Sequence, residues 1–178
     1  SALCVQGNHD NKLLRWLNGR NVQLWHGLQN TVDELQKQSS GFRAQTAKFL
    51  GGLPSHYILD GGALVVTHAG IKEHFIGLDT KRIREFCLYG EITGETDEYG
   101  FPVRLNWAND YKGRAMIVYG HTPHPEPVVI NNTYCIDTAC VFGGKLTALR
   151  YPEREFVSIA ARRTYSEPGK PLTAAEKQ

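Results

Sequence analysis

Three apolar runs in this chain each end on a polar side chain flanked by glycine, and that pattern limits the folds open to it. Leu3–Val5 leads into Gly7-Asn8-His9-Asp10, Ala63–Val66 into Thr67-His68-Ala69-Gly70, and Ala115–Tyr119 into Gly120-His121-Thr122. Such a run reads as a buried strand delivering a side chain at its carboxyl end. Open α/β sheets place their active sites at these ends. A fourth segment, Ile136-Asp137-Thr138-Ala139, closes a later strand. Three deliveries in one chain predict a shared metal site.

The donor types narrow the chemistry. Asn8 offers an amide oxygen, and His68 and His121 offer imidazole nitrogens. Mixed oxygen and imidazole donors suit manganese, iron, zinc or nickel better than calcium. Three protein donors leave coordination positions for water or a phosphate oxygen, as a catalytic site requires. His9 follows a donor directly and is placed to protonate a leaving alkoxide, with Asp10 beside it to hold and charge the ring. Asp137 is placed to orient a donor histidine through a carboxylate–imidazole hydrogen bond. Each residue also has a plainer reading. Asn8 or Asp10 can cap a helix, His68 and His121 can be hydrogen-bonded core histidines, and Asp137 can be a turn residue.

Bulk properties set the outer bounds. A length of 178 residues allows one domain with a substantial core. No stretch approaches the ~20 apolar residues that span a bilayer, and no signal peptide is evident. A net charge of +2 does not demand a nucleic-acid partner. Cys4, Cys87, Cys135 and Cys140 lack zinc spacing and read as buried, reduced thiols, consistent with a cytoplasmic location. The chain starts at Ser1 with Cys4 already in a strand pattern, so it reads as an internal piece of a longer protein.

The predicted elements are a strand over 2–6 and helices over 11–17, 32–38, 42–50 and 81–89. Thr31 and Glu34 form a capping-box signal for the second helix. Hairpins are predicted around Asp60-Gly61-Gly62, Asn131-Asn132 and Pro152-Glu153, the middle one from strands 128–130 and 133–137. A further strand covers 116–119, and 90–100 reads as an exposed acidic loop. Arg104, Trp107 and Tyr111 form a polar-aromatic segment that could face a phosphate. The first unit is predicted over 1–161, with 162–178 as a linker or disordered tail. Helices early and tight hairpins late predict an α/β (α+β) two-sheet sandwich flanked by helices.

The order GNHD, THAG, GHT and IDTA resembles the binuclear metallophosphoesterase superfamily. Residues 118–123 and 140–152 look most like the phosphatase domain of bacterial polynucleotide kinase-phosphatase. The resemblance implies that Asn8, His68 and His121 are metal ligands. It implies that His9 contacts phosphate and protonates the leaving group, and that Asp137 is an essential carboxylate. It implies manganese, with nickel as the other candidate, and removal of phosphate from RNA 2′-, 3′- or 2′,3′-cyclic ends. Kinase and adenylyltransferase domains of an RNA-repair protein would be the neighbours, and RNA ends or a phosphorylated nucleotide the substrate. A dinucleoside polyphosphate hydrolase, a protein phosphatase and a non-catalytic module that keeps the fold are the alternatives. The superfamily's leading Asp-x-His and Gly-Asp-x-x-Asp-Arg-Gly motifs do not occur here. The expectation is therefore a fold lacking its amino-terminal strands, one metal's ligands out of two, and impaired activity for this stretch alone.

Overall fold

A computed structural model describes residues 2–172. Its centre is a five-stranded sheet built from β1 (His56–Leu59), β2 (Leu64–Thr67), β5 (Met116–Tyr119), β6 (Val128–Ile130) and β7 (Thr133–Cys135). The spatial order is β1-β2-β5-β7-β6. β2, β5 and β7 run parallel to one another, while β1 and β6 are antiparallel edges. Two hairpins stand apart from this sheet, β3 (Glu91–Thr96) with β4 (Pro102–Leu105), and β8 (Lys145–Arg150) with β9 (Glu155–Ala160).

Side-chain alternation along the three parallel strands divides the core. Val65, Ile117, Tyr119 and Cys135 face a cluster with Ile71, Ile83, Cys87, Trp107 and Tyr111. That layer is supplied by α4 (Lys81–Tyr89) and a single 3-10 turn at Trp107–Asp110. Leu64, Met116 and Tyr134, one residue out of phase, face the opposite side, where Leu149 and Tyr151 of the β8–β9 region pack. The sheet is thus covered by helix on one face and by a hairpin on the other, the layered α/β arrangement expected. A separate cluster of Leu13, Leu28, Val32, Leu35, Leu50 and Leu53 joins α1 (Asn8–Leu17), α2 (Leu28–Gln36) and α3 (Ser40–Gly51).

Several sequence expectations need correction. Residues 2–6 form no strand. Gln6 N–H donates to Pro54 O, and its side-chain amide donates to Leu50 O, which ties the segment to the end of α3 without a ladder. Cys4 is accordingly exposed, and Cys140 is only half-buried. α2 begins at Leu28 behind a left-handed Gly27 rather than at Val32, because the buried face Leu28, Val32 and Leu35 starts there. α3 begins at Ser40, where Ser39 caps it by accepting from Phe42 N–H.

The expected loop at 90–100 is largely β3. It is tied to β4 by a turn in which Asp97 accepts from Tyr99 and Phe101 N–H. Both faces of that hairpin are mostly exposed, so no apolar alternation marks it in sequence. Beyond β9 the chain folds back as far as residue 172. Tyr165 and Ser166 N–H donate to Val141 O, and Lys170 pairs with Asp97 at 2.9 Å. The rest of the tail expectation, 173–178, lies outside the described residues.

Candidate metal centre

Adjacent parallel strands end at one edge of a sheet, and the chain uses this to gather its polar residues. His68 follows β2, Gly120-His121 follows β5 and Asp137 stands two residues beyond β7. Gly120 N–H donates to His68 O, and Ile136 N–H donates to Tyr119 O, which extends the two parallel ladders past their last strand residues. Asn8 reaches this edge from a helix. It is the first residue of α1, and Gly7 ahead of it caps the turn by donating its N–H to the Asp10 carboxylate at 2.8 Å. A Cβ on Gly7 would stand 3.2 Å from both Asp10 Oδ2 and His68 Nδ1. Glycine therefore lets the helix start come close to the His68 ring.

Three donors converge. His68 Nε2 is 3.0 Å from Asn8 Oδ1 and 3.0 Å from His121 Nδ1. A cation bound at about 2.1 Å at right angles holds its donors about 3 Å apart, so both distances fit one ion. His121 also takes an uncommon backbone conformation, φ 71, and its Nε2 is buried with no hydrogen-bond partner. Such orphaned groups and such backbone cluster at functional sites. Among the described residues no group of three or more His, Cys, Asp or Glu side chains is placed for a metal. The trio's third donor is the Asn8 amide oxygen.

The electrostatics keep both rings neutral, the form that binds cations. Burial lowers His68 to about 4, with Asp10 opposing and His9 and Arg104 assisting. Burial lowers His121 to about 3, with His68, Arg104, His9 and Lys12 adding to the effect. Arg104 donates to Tyr89 O, and the Tyr89 ring meets the His121 ring edge-on at 6.3 Å. Arg104 and Lys12 thus give this edge a positive surround that suits phosphate. Sequence reading left Lys12 aside, and no spacing signal marks it. Trp107 and Tyr111, grouped with Arg104 in the sequence, are core residues instead.

The remaining candidates sit around the trio. His9 is exposed in the first turn of α1, beside Asn8. Partial desolvation lowers its pKa, Lys12 and His26 lower it further, and Asp10 raises it. Asp10 therefore favours charged His9 through space, while its hydrogen bond goes to Gly7. Asp137 Oδ1 accepts from Ala139 N–H at 3.1 Å, and its Cβ lies 3.3 Å from where a Gly120 Cβ would stand. That puts it next to the His121 turn. Ala139 adopts φ 59, a conformation glycine holds more easily.

These pKa directions give an expected result for chelator-treated protein. The unfolded chain takes up protons at His68 and His121 near the ordinary value of 6.5, whereas the folded chain resists to about 4 and about 3. Below 6.5 the unfolded state then binds more protons, and stability falls with pH through that window. Urea midpoints should drop between pH 7 and pH 5. In a His68→Gln, His121→Gln double variant that drop should shrink.

No protein-family model matches the chain. The bis(5′-nucleosyl)-tetraphosphatase PrpE (asymmetrical) of Anoxybacillus flavithermus is 51% identical over 168 residues, which is 92% of this chain and 69% of that protein. The protein of the same name from Geobacillus sp. is 48% identical over 169 residues, 93% of this chain and 69% of the relative. That from Bacillus subtilis is 47% identical over 167 residues, 92% and 68%. A crystal structure of a protein assigned as a diadenosine tetraphosphatase superposes with a TM-score of 0.65 at 23% identity, covering 90% of this chain and 68% of that one. The shared architecture is of metallophosphoesterase type, as expected from the motifs. No helix among the described residues is long and apolar enough to cross a membrane.

Proposed function

Because this chain belongs to the family of bis(5′-nucleosyl)-tetraphosphatases named PrpE, which are metallophosphoesterase-type phosphatases, we propose that it hydrolyses dinucleoside tetraphosphates unevenly. One observation carries the reading. Identity to the Anoxybacillus relative is 51% over 168 residues, and the match covers 92% of the chain and 69% of that relative. In the proposed reaction the oxygen of water joins one phosphorus of the chain of four. The anhydride bond on the far side of that phosphorus breaks. The products are a nucleoside triphosphate and a nucleoside monophosphate.

Asn8, His68 and His121 would hold a divalent cation, with manganese as the proposed ion and a second metal site completed by residues beyond this trio. When bound, such an ion lowers the pKa of a bound water and offsets phosphate charge. The chain's own groups do the rest. Arg104 and Lys12 would draw the polyphosphate in, and the amino end of α1, which carries Asn8, would add its positive dipole end. His9, next to Asn8 in the first turn of α1, is the proposed proton donor to a leaving oxygen. Asp10 holds the helix start through Gly7 N–H, and Asp137, beside the His121 turn, accepts from Ala139 N–H.

The leaving group separates this reading from the RNA-end reaction. A tetraphosphate expels a phosphate oxygen, a weak base that leaves without a proton. An RNA 2′- or 3′-phosphate expels an alkoxide, which needs one. His9→Ala should therefore slow the tetraphosphate reaction less than about tenfold, and slow an alkyl phosphomonoester by about 10²- to 10⁴-fold. Product analysis gives the direct test. Equal amounts of triphosphate and monophosphate from a dinucleoside tetraphosphate support the proposal. Two diphosphates, or turnover confined to RNA 2′,3′-cyclic ends, would overturn it.

The RNA-repair branch of the resemblance finds no support in these relatives. Residues 140–152, which together with 118–123 pointed to it, build a 3-10 turn and β8, whose Leu149 packs under the sheet with Tyr151. They report on the scaffold rather than on a substrate. The kinase and adenylyltransferase neighbours are accordingly not part of the proposal.

A further inference from the structure

The segment beyond β9 touches two parts of the molecule that share no ladder. Ala161 N–H donates to Gly144 O at 2.8 Å, and Tyr165 and Ser166 N–H donate to Val141 O at 3.0 and 3.1 Å. Gly143 has no room for a Cβ, which would stand 2.6 Å from Thr164 Oγ1. Residues 161–166 are therefore laid along the turn that follows Asp137-Thr138-Ala139. The chain then reaches the tip of the β3–β4 hairpin. Lys170 Nζ donates to Asp97 Oδ2 at 2.9 Å and sits 5.6 Å from the centre of the Phe101 ring. A Cβ on Gly169 would stand 2.5 Å from Cζ of the same ring.

The hairpin depends on such contacts for its place. Among the described residues it pairs with no other strand, and its own strands are mostly exposed. A two-stranded hairpin without a core is marginal by itself. It is held at two ends instead. At the tip are Lys170 and the His26 ring, whose centroid is 5.4 Å from that of Phe101. At the base Lys72 pairs with Glu91 at 2.6 Å, and Arg104 donates to Tyr89 O. The base borders the candidate centre, because the Tyr89 ring stands edge-on to the His121 ring at 6.3 Å. Arg104 follows Phe101 by three residues on β4. The bond to Tyr89 O uses one of its five N–H donors and leaves most of the fork for an anion.

We infer that residues 161–170 form a strap in which Lys170 is a positioning residue: paired with Asp97, it holds the β3–β4 hairpin so that Arg104 meets the phosphate chain of the substrate. The inference rests on the tetraphosphatase reading above. Hydrogen exchange on the unliganded chain, and calorimetric titration with inorganic tripolyphosphate in the presence of manganese, test it without turnover. Lys170→Ala should speed amide exchange over 91–105 about fivefold, the upper scale of a partly exposed ion pair, and leave β2, β5 and β7 unchanged. Tripolyphosphate affinity should fall by a similar factor. Lys170→Arg, which keeps the charge, should retain both. In an Arg104→Ala background Lys170→Ala should cost no further affinity, because the side chain it positions is gone. Unaltered exchange over the hairpin in Lys170→Ala would overturn the inference. So would an affinity loss that persists in the Arg104→Ala background, a rise in exchange across the whole sheet, or absence of tripolyphosphate binding in the wild type. If the strap effects appear while dinucleoside tetraphosphate goes uncleaved, the strap stands and the reaction assigned above fails.

Discussion

His68→Ala should remove metal-dependent hydrolysis almost entirely, with kcat/KM reduced by about 10³-fold, the rate equivalent of losing several kcal/mol of cation-derived stabilisation. His68 is the middle donor, 3.0 Å from both Asn8 Oδ1 and His121 Nδ1, so its loss separates the other two. Manganese should raise the melting temperature of the parent protein, and the same variant should lose that rise. Far-UV circular dichroism should stay unchanged, because β2 is held by Leu64, Val65 and Val66 rather than by the ring. Retained manganese-dependent turnover in a folded His68→Ala protein would remove the trio from the chemistry.

The largest effect on folding should come from a position with no chemistry of its own. Gly70 has φ 148, and a Cβ there would stand 2.7 Å from Cζ2 of Trp107 and closer still to Cε2 and Nε1. Trp107 cannot yield. It is 7% exposed, donates its indole N–H to Ala69 O, and packs edge-on against Phe86 and Tyr111 and obliquely against Tyr119. Gly70→Ala combines backbone strain with overpacking, and should cost about 3 kcal/mol or more in urea denaturation. Gly94→Ala is the comparison. It shares a positive φ of 92 but meets nothing within 4 Å, so only the backbone cost of about 1 kcal/mol should remain.

How much of this was readable beforehand depended on burial. β2 and β5 were legible because fully buried parallel strands write themselves as unbroken apolar runs, and each run marked where its histidine would emerge. The convergence of Asn8, His68 and His121 followed from three such strand-end signals, yet one was misread. Asn8 arrives on a helix start, and the apolar run before it pairs with nothing as a ladder. The β3–β4 hairpin escaped because exposed strands leave no alternation to find. Lys12 gains meaning only through distance, since its charge acts on His121 from far along the chain, whereas Arg104 already stood out in the sequence beside Trp107 and Tyr111. Substrate class was out of reach for another reason. Metal donors answer to the cation and to phosphate, which RNA ends and dinucleotides share.

The three donors are drawn from far along the chain, 60 positions between Asn8 and His68 and 53 between His68 and His121. No local stretch can assemble them, so the unfolded ensemble offers a cation only isolated single donors. Any ion that chooses the trio must choose the completed sheet with it. Cation affinity and global folding would therefore be linked here, and each tenfold rise in free ion above its dissociation constant would add about 1.4 kcal/mol to the native state. Cellular metal supply, through that coupling, would set how long this protein survives as well as how fast it works.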